Sequence, residues 1–123
     1  MKISCWTDII EIERVKNSIE NIGKRFLETI YTEREIEYCE SRKAQKYQHY
    51  AARFAAKEAI FKALSTRIDR KYSWKDFEVL NDELGKPKVF LATEINDLED
   101  IDISMSHCKQ YAVANVIAIY KEN

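Results

Sequence analysis

A run of alanines near the middle of the chain constrains the fold most strongly. Residues 53–64 read Arg-Phe-Ala-Ala-Lys-Glu-Ala-Ile-Phe-Lys-Ala-Leu. In a helix, successive residues are roughly 100° apart around the axis, and five alanines then fall within about a quarter of the circumference. They are Ala52, Ala55, Ala56, Ala59 and Ala63. Small side chains on one stripe let a helix backbone lie very close to its neighbour. The pattern therefore predicts a long helix from about residue 45 to 65, packed tightly on another element.

A neighbouring stripe of the same helix carries charged and aromatic side chains. Its members are Phe54, Glu58, Phe61, Lys62 and Ser65. Glu58 and Lys62 stand four residues apart in the favourable order, so they could form an ordinary surface pair contributing a few tenths of a kcal/mol. Alternatively, the helix is a rigid support that holds a carboxylate and an ammonium for chemistry.

Asp8 follows a short predicted strand, residues 2–7, and stands between Thr7 and two isoleucines. Burial of an unpaired carboxylate is costly, so this side chain needs a partner. It could cap the helix that follows, a role for which Asp is well suited. It could also bind a hard metal ion, because Mg²⁺ typically takes one or two protein carboxylates and completes its shell with water and phosphate. The residue pattern leaves both interpretations open.

The remaining patterns predict an α+β fold, with helices packed on an antiparallel sheet. Helical material is expected from about 11 to 30, and Thr32 with Glu35 forms a capping box for a further helix to about 41. Two hairpins follow, the first from 77–80 and 89–91, the second from 101–106 and 111–120. The last segment is apolar enough for a central strand.

Composition indicates one domain spanning residues 1–123, near the size at which oligomerisation adds stability. A net charge of −1 argues against general binding to nucleic acid or membrane surfaces. No apolar run approaches the roughly 20 residues of a membrane span, and a signal peptide is not recognised. Cys5, Cys39 and Cys108 are odd in number and widely spaced, which favours reduced thiols and a cytoplasmic location over disulfides or zinc.

Together these segments resemble the holo-[acyl-carrier-protein] synthase family, the small 4′-phosphopantetheinyl transferases. The strongest motif, Arg-Phe-Ala-x-Lys-Glu-Ala-x-x-Lys-Ala, is complete from Arg53 to Ala63. The other landmarks appear in the family's order: Asp8-Ile9-Ile10-Glu11-Ile12, Arg25-Phe26 with Thr32-Glu33-Arg34-Glu35, residues 74–79 with 81–87, and Ser104-Met105-Ser106-His107. The resemblance covers nearly the whole chain and implies a 4′-phosphopantetheinyl transferase-like fold.

The resemblance implies an enzyme that moves 4′-phosphopantetheine from coenzyme A to a serine of apo acyl carrier protein. Adenosine 3′,5′-bisphosphate would be released. Asp8 and Glu58 would hold one Mg²⁺ on the pyrophosphate, acting as Lewis acid and template. Lys62 would bind and stabilise the departing phosphate. The base that takes the serine proton stays open between Glu58 and a water on the metal.

The resemblance also suggests residues for the rest of coenzyme A and for the protein partner. Arg53 is the first candidate for a phosphate contact, because guanidinium forks match phosphate oxygens. The other candidates for coenzyme binding are Ser65, Lys86, Pro87 and His107. Arg14 and Arg25 are expected to dock the acidic carrier protein. Family members assemble as trimers with active sites between subunits, so a homotrimer is expected here too.

The chain departs from the family pattern at three places. Ser4 and Trp6 replace the usual small glycines before Asp8, Ser65-Thr66-Arg67-Ile68 replaces a Gly-Thr-Gly-Ile turn, and Cys108 follows His107 where threonine is common. Two other functions therefore stay open: an inactive relative that binds carrier proteins, and a metal-dependent phosphohydrolase that uses water in place of serine.

Overall fold

The computed structural model of the protein describes residues 1–68 and 72–121. One strand comes first in the chain, the helices follow it, and the remaining strands come last. In chain order they are β1 (Lys2–Glu11), α1 (Ile12–Ile22), α2 (Lys24–Ile30), α3 (Glu33–Ser41), α4 (Lys46–Ala63), β2 (Phe77–Asn81), β3 (Pro87–Leu91), β4 (Leu98–His107) and β5 (Tyr111–Tyr120). The predicted α+β class is confirmed.

The strands form two antiparallel sheets. β5 lies at the centre of a three-stranded sheet in the order β1-β5-β4, as its apolar sequence predicts, and β2 pairs with β3 in a separate hairpin. In the larger sheet Asp8 of β1 lies opposite Ala114 of β5, and His107 of β4 lies opposite Ala112. Both side chains therefore belong to the sheet face that α4 covers.

The alanine stripe of α4 packs on this face, as expected. All five of its alanines are buried. On β5 most of the alternate residues that face the helix are also small and buried: Ala112, Ala114, Val116 and Ala118. The last of them, Tyr120, is buried too and donates a hydrogen bond to the Ala63 carbonyl at 3.0 Å. With few bulky side chains on either surface, helix and sheet can approach closely. The rigid contact fixes where Glu58 and Lys62 of α4 stand relative to β1.

The first third of the chain differs from the prediction in two details. β1 continues to Glu11, because its pairing with β5 runs unbroken to the Glu11–Tyr111 position. Asp8 therefore lies inside a strand, and the helix-cap interpretation is wrong, since Glu11 occupies the cap position of α1. The helical region also splits into α1 and α2 at Gly23, which adopts a φ of 80° that favours glycine.

Two further local predictions, the capping box and the first hairpin, agree with the structure. The Thr32–Glu35 capping box is present at the start of α3. The β2–β3 hairpin turns at Gly85, with a φ of 86°. Cys5, Cys39 and Cys108 are free thiols. Within the described residues, every helix is too short or too polar to cross a membrane.

Candidate active site

Asp8 and Lys62 meet where α4 crosses β1. Lys62 Nζ lies 3.3 Å from Asp8 Oδ1, although 54 residues separate them in sequence. The Asp8 side chain is 19% exposed and that of Lys62 is 43% exposed, so the pair lies at the rim of the protein rather than in its core. The structure thus brings together two of the residues predicted to act in catalysis and metal binding.

Glu58 stands one helical turn before Lys62, about 6 Å along the axis of α4, and is half-buried. The surface pair between Glu58 and Lys62, one of the two interpretations left open by the sequence, is not found among the described residues, where Lys62 pairs with Asp8. Residues 58 and 62 share one face of the helix, so Glu58 lies on the side of α4 that reaches Asp8.

Two carboxylates at this position suit a hard divalent ion. Both donors are oxygens, and Mg²⁺ commonly accepts one or two carboxylates while keeping several positions for water and phosphate. The described part of the chain contains no group of three or more acidic, histidine or cysteine side chains that would form a closed metal cage. Asp8 and Glu58 are of the right chemical type to hold Mg²⁺ in an open site.

Arg53, the first candidate for a phosphate contact, is buried between α4 and β2. It is 1% exposed, and its Nε donates a hydrogen bond to the Val79 carbonyl at 3.0 Å. Its Nη2 donates to Asn81 Oδ1, and its guanidinium lies 4.5 Å from the centre of the Tyr38 ring. These contacts join α4 to β2. Its burial counts against the predicted phosphate contact, because an engaged and covered guanidinium cannot readily reach a ligand.

Sequence reasoning missed a second buried cation on α4, Lys57. Its ammonium donates to Glu35 Oε1 at 2.7 Å, to the Ile30 carbonyl at 2.9 Å and to the Trp74 carbonyl at 3.0 Å. All three donors are thus used. Burial lowers the pKa of Lys57, and the neighbouring Glu35 carboxylate opposes that effect. Lys57 belongs to the Arg53–Ala63 motif, but a lysine in a helix is usually exposed, so no local pattern indicated its burial.

Glu35 extends the network to β2. Its Oε2 accepts a hydrogen bond from the Val79 amide at 2.7 Å, while Arg53 donates to the carbonyl of the same residue. Two side chains therefore satisfy both polar groups of Val79 at the strand edge that β3 does not cover. The charged residues Glu35, Arg53 and Lys57 fix the β2–β3 hairpin and the α2–α3 region to the helix that carries Glu58 and Lys62.

The residues predicted to bind the nucleotide are dispersed in the single chain. Ser65 is exposed in the turn that follows α4. Lys86 Nζ lies 2.9 Å from Asp102 Oδ1, and Pro87 begins β3. Lys86 and Asp102 line a shallow depression of about 140 Å³ with Ser104 and Asn115, on the sheet face opposite α4. One chain therefore does not bring Lys86 together with Asp8 and Glu58.

His107 ends β4 on the same sheet face as Asp8 and is exposed. Its ring lies 5.6 Å from that of His49, which in turn contacts Tyr38 at 5.6 Å. Burial, then the nearby charges of Arg53, Arg42 and His107, lowers the pKa of His49 from 6.5 to about 4. His49 is therefore neutral at pH 7. Sequence reasoning did not single it out.

The two arginines expected to dock a partner are both exposed. Arg14 lies on α1 and Arg25 lies on α2, beyond the break at Gly23. They project from two helices that pack together, not from one continuous helix. The surface remains available for a macromolecular contact.

Comparisons with known proteins place the chain in a class of small transferases, the phosphopantetheinyl transferases. The family described as the 4′-phosphopantetheinyl transferase superfamily matches residues 7–116. A holo-[acyl-carrier-protein] synthase of Ruminiclostridium cellulolyticum is 50% identical over 123 residues, covering 95% of this chain and 92% of that protein. The chain belongs to the holo-[acyl-carrier-protein] synthase family of this superfamily, as the sequence motifs predicted.

Solved structures of the same family share the fold. The Bacillus anthracis holo-(acyl-carrier-protein) synthase in complex with CoA (3′,5′-ADP) is 36% identical, with a TM-score of 0.79 and coverage of 94% of both chains. The Helicobacter pylori enzyme in complex with coenzyme A is 28% identical, with a TM-score of 0.82, and the match covers 94% of this chain and 99% of that one. The enzyme class and the predicted fold are thereby confirmed.

Proposed function

We propose that the chain is a single-domain holo-[acyl-carrier-protein] synthase that transfers 4′-phosphopantetheine from coenzyme A to a serine of apo acyl carrier protein. The observation that carries the proposal is the contact between Lys62 and Asp8. Lys62 stands one helical turn from Glu58 on α4. A relative that is 50% identical, and structural neighbours in complex with coenzyme A, support the substrate assignment.

The reaction forms one phosphorus–oxygen bond and breaks another. The serine oxygen attacks the pantetheine-side phosphorus, and the bond from that phosphorus to the bridging oxygen breaks. The electron pair leaves with adenosine 3′,5′-bisphosphate, and the serine proton passes to a base in the site. Such transfers depend mainly on positioning and on neutralising oxygen charge. The ammonium of Lys62, half-exposed beside Asp8, supplies positive charge for the departing phosphate.

A bound Mg²⁺ would supply Lewis-acid stabilisation of the pyrophosphate oxygens. Asp8 and Glu58 would hold it, one from a strand and the other from a helix. Because the alanine contact between α4 and β5 fixes these elements, the two carboxylates keep their separation without help from the ligand. Glu58, half-buried, is also a candidate base for the serine proton.

The active site is proposed to lie between subunits of a homotrimer. Lys86 and Pro87 belong to the nucleotide side of the proposed site, yet Lys86 lies on the opposite sheet face from Asp8. In a trimer, one subunit would contribute the surface that carries Asp8, and its neighbour would contribute the surface that carries Lys86 and Pro87. The uncovered sheet face supports this assembly, because large apolar side chains are exposed there: Ile3, Ile9 and Ile117.

Ser65 and His107 are retained as proposed coenzyme contacts, since both are exposed. Arg14 and Arg25 are proposed to dock the acidic carrier protein. The enzyme is assigned to the cytoplasm, where its three free thiols would stay reduced.

Mass spectrometry of a purified apo carrier protein tests this proposal. The carrier is incubated with the enzyme, coenzyme A and Mg²⁺, and its serine is replaced by alanine in a control. A mass gain equal to phosphopantetheine, absent in the alanine control, is expected. Free phosphopantetheine with an unmodified carrier would indicate hydrolysis, and carrier binding without either product would indicate an inactive relative. Either result would overturn the proposal.

A further inference from the structure

Trp6 occupies an unusual position beside the proposed site. It lies two residues before Asp8 on β1, opposite Val116, so both side chains face the same side of the sheet. Although its indole is large and apolar, Trp6 is 44% exposed. It also stands at one of the positions where this chain departs from the small residues of the family pattern. Burial in the core therefore does not account for it.

The Trp6 ring contacts the cation of the proposed site. Lys62 Nζ lies 5.3 Å from the centre of the ring and 3.3 Å from Asp8 Oδ1. An ammonium within about 6 Å of an indole centroid is attracted to the face of the ring. The Lys62 side chain is 43% exposed, and a single exposed ion pair holds a flexible lysine only weakly. The ring gives the ammonium a second point of attachment on the same strand.

We propose, resting on the proposed function, that Trp6 is a positioning residue that holds the Lys62 ammonium beside Asp8 for phosphopantetheine transfer. Trp6 does not touch the reacting atoms in this account. It restricts the rotamers of Lys62, so that less side-chain entropy is lost when the ammonium meets the phosphate. The chain thereby uses a tryptophan to organise a catalytic lysine.

NMR spectroscopy tests the placement of Lys62 without relying on activity. In the ¹³C,¹⁵N-labelled protein, ring current from Trp6 should shift the Lys62 ε-methylene signal upfield, with Lys62→Arg giving the assignment. The shift should disappear in Trp6→Leu and be partly restored in Trp6→Phe, whose ring also attracts cations. An unshifted Lys62 signal in the parent, or a shift that survives Trp6→Leu, would overturn the proposal.

Kinetics test the consequence for transfer. At saturating Mg²⁺, coenzyme A and carrier protein, Trp6→Leu should lower kcat about two- to fivefold, the range of an exposed cation–π contact. The KM for coenzyme A should stay within about twofold, and Trp6→Phe should recover most of kcat. Tyr47→Leu is the matched control, because Lys16 and Lys46 lie 5.5 and 5.3 Å from the Tyr47 ring at the other end of α4. Its kcat should match that of the parent.

A kcat in Trp6→Leu equal to that of the parent would overturn the proposal. An equal loss in Tyr47→Leu would do the same, since the effect would not be specific to Lys62. Absence of transfer by the parent protein would instead overturn the proposed function, and the NMR signal would still decide whether Trp6 positions Lys62. The two failures are therefore distinguishable.

Discussion

Individual ionisable residues in this protein behave according to what surrounds them, not according to their residue type. Lys62 and Lys57 lie on the same helix, five residues apart. One is half-exposed beside Asp8, whereas the other is completely buried with every donor satisfied. Burial costs a charge much of its solvation, so Lys57 needs the carboxylate and the two carbonyls around it. The exposed lysine is the one free to meet a ligand.

His49 should make the stability of the protein depend on pH. Its pKa is about 4 in the folded protein and 6.5 in the unfolded chain, so the unfolded chain binds the proton first as pH falls. Stability contributed by neutral His49 should be present above pH 6.5 and be lost progressively down to about pH 4. His49→Phe, which keeps an aromatic ring, should weaken this dependence in urea unfolding at fixed protein concentration. Parallel pH profiles for both proteins would contradict the assignment.

Arg53 should act on stability rather than on recognition of the coenzyme. Arg53→Met removes the hydrogen bonds to Val79 and Asn81 and leaves the Val79 carbonyl unpaired. A loss of about 2–3 kcal/mol in the free energy of unfolding is expected. The variant should still discriminate coenzyme A from its 3′-dephospho form as the parent does. Unchanged stability combined with lost discrimination would restore the phosphate contact that the sequence suggested.

At the scale of secondary-structure elements, α4 packs against most of the other helices and strands. Its alanines face β5, its Lys62 reaches Asp8 of β1, and its buried cations hold β2 and the α2–α3 region. The Lys57–Glu35 pair connects most of these elements. Its bonds are directional, so they set the rotation of α4 as well as its position.

Removing one partner of this pair should be costly. Lys57→Met leaves the Glu35 carboxylate buried with one fewer donor, and a loss of about 3–5 kcal/mol in the free energy of unfolding is expected. Exposed Lys75→Met is the control and should change stability by less than about 0.5 kcal/mol. Both are measured by denaturant unfolding at one protein concentration. Equal effects in the two variants would show that the buried pair contributes nothing particular.

The secondary-structure elements differ in how well the sequence alone predicts them. Alanine periodicity predicted α4, and Thr32 with Glu35 predicted the start of α3, because both signals are local. The extent of β1 was missed because no glycine or proline marks its end, and pairing with β5 determines it instead. Likewise, nothing local links Asp8 with Lys62. Their proximity was expected only from the resemblance to a family, and the burial of Arg53 and Lys57 depends on elements distant in sequence.

At the scale of the whole molecule, two surfaces remain for partners. One is the sheet face opposite α4, proposed to join subunits. The other carries Arg14 and Arg25 on the packed helices α1 and α2. Long-range attraction between this surface and an acidic carrier would mainly accelerate association and would weaken as salt screens the charges.

Reversing both arginines tests the docking surface. Arg14→Glu with Arg25→Glu should raise the KM for carrier protein several-fold and leave the affinity for coenzyme A unchanged. Raising salt from low to physiological concentration should slow the parent more than the double variant. Lys43→Glu with Lys75→Glu, on exposed positions elsewhere, is the matched control for net charge. An unchanged KM and an equal salt response would place the docking surface elsewhere.

Asp8 on β1 and Glu58 on α4 are proposed to act as one metal-binding site for phosphopantetheine transfer. Single-turnover transfer by Asp8→Asn and Glu58→Gln, at saturating Mg²⁺, tests it most directly. Each variant should slow transfer by at least about a hundredfold, the scale of losing one preorganised electrostatic contact, with circular dichroism unchanged. Exposed Glu37→Gln is the control and should transfer at the parent rate. A near-normal rate in either Asp8→Asn or Glu58→Gln would contradict a metal site built from these two carboxylates.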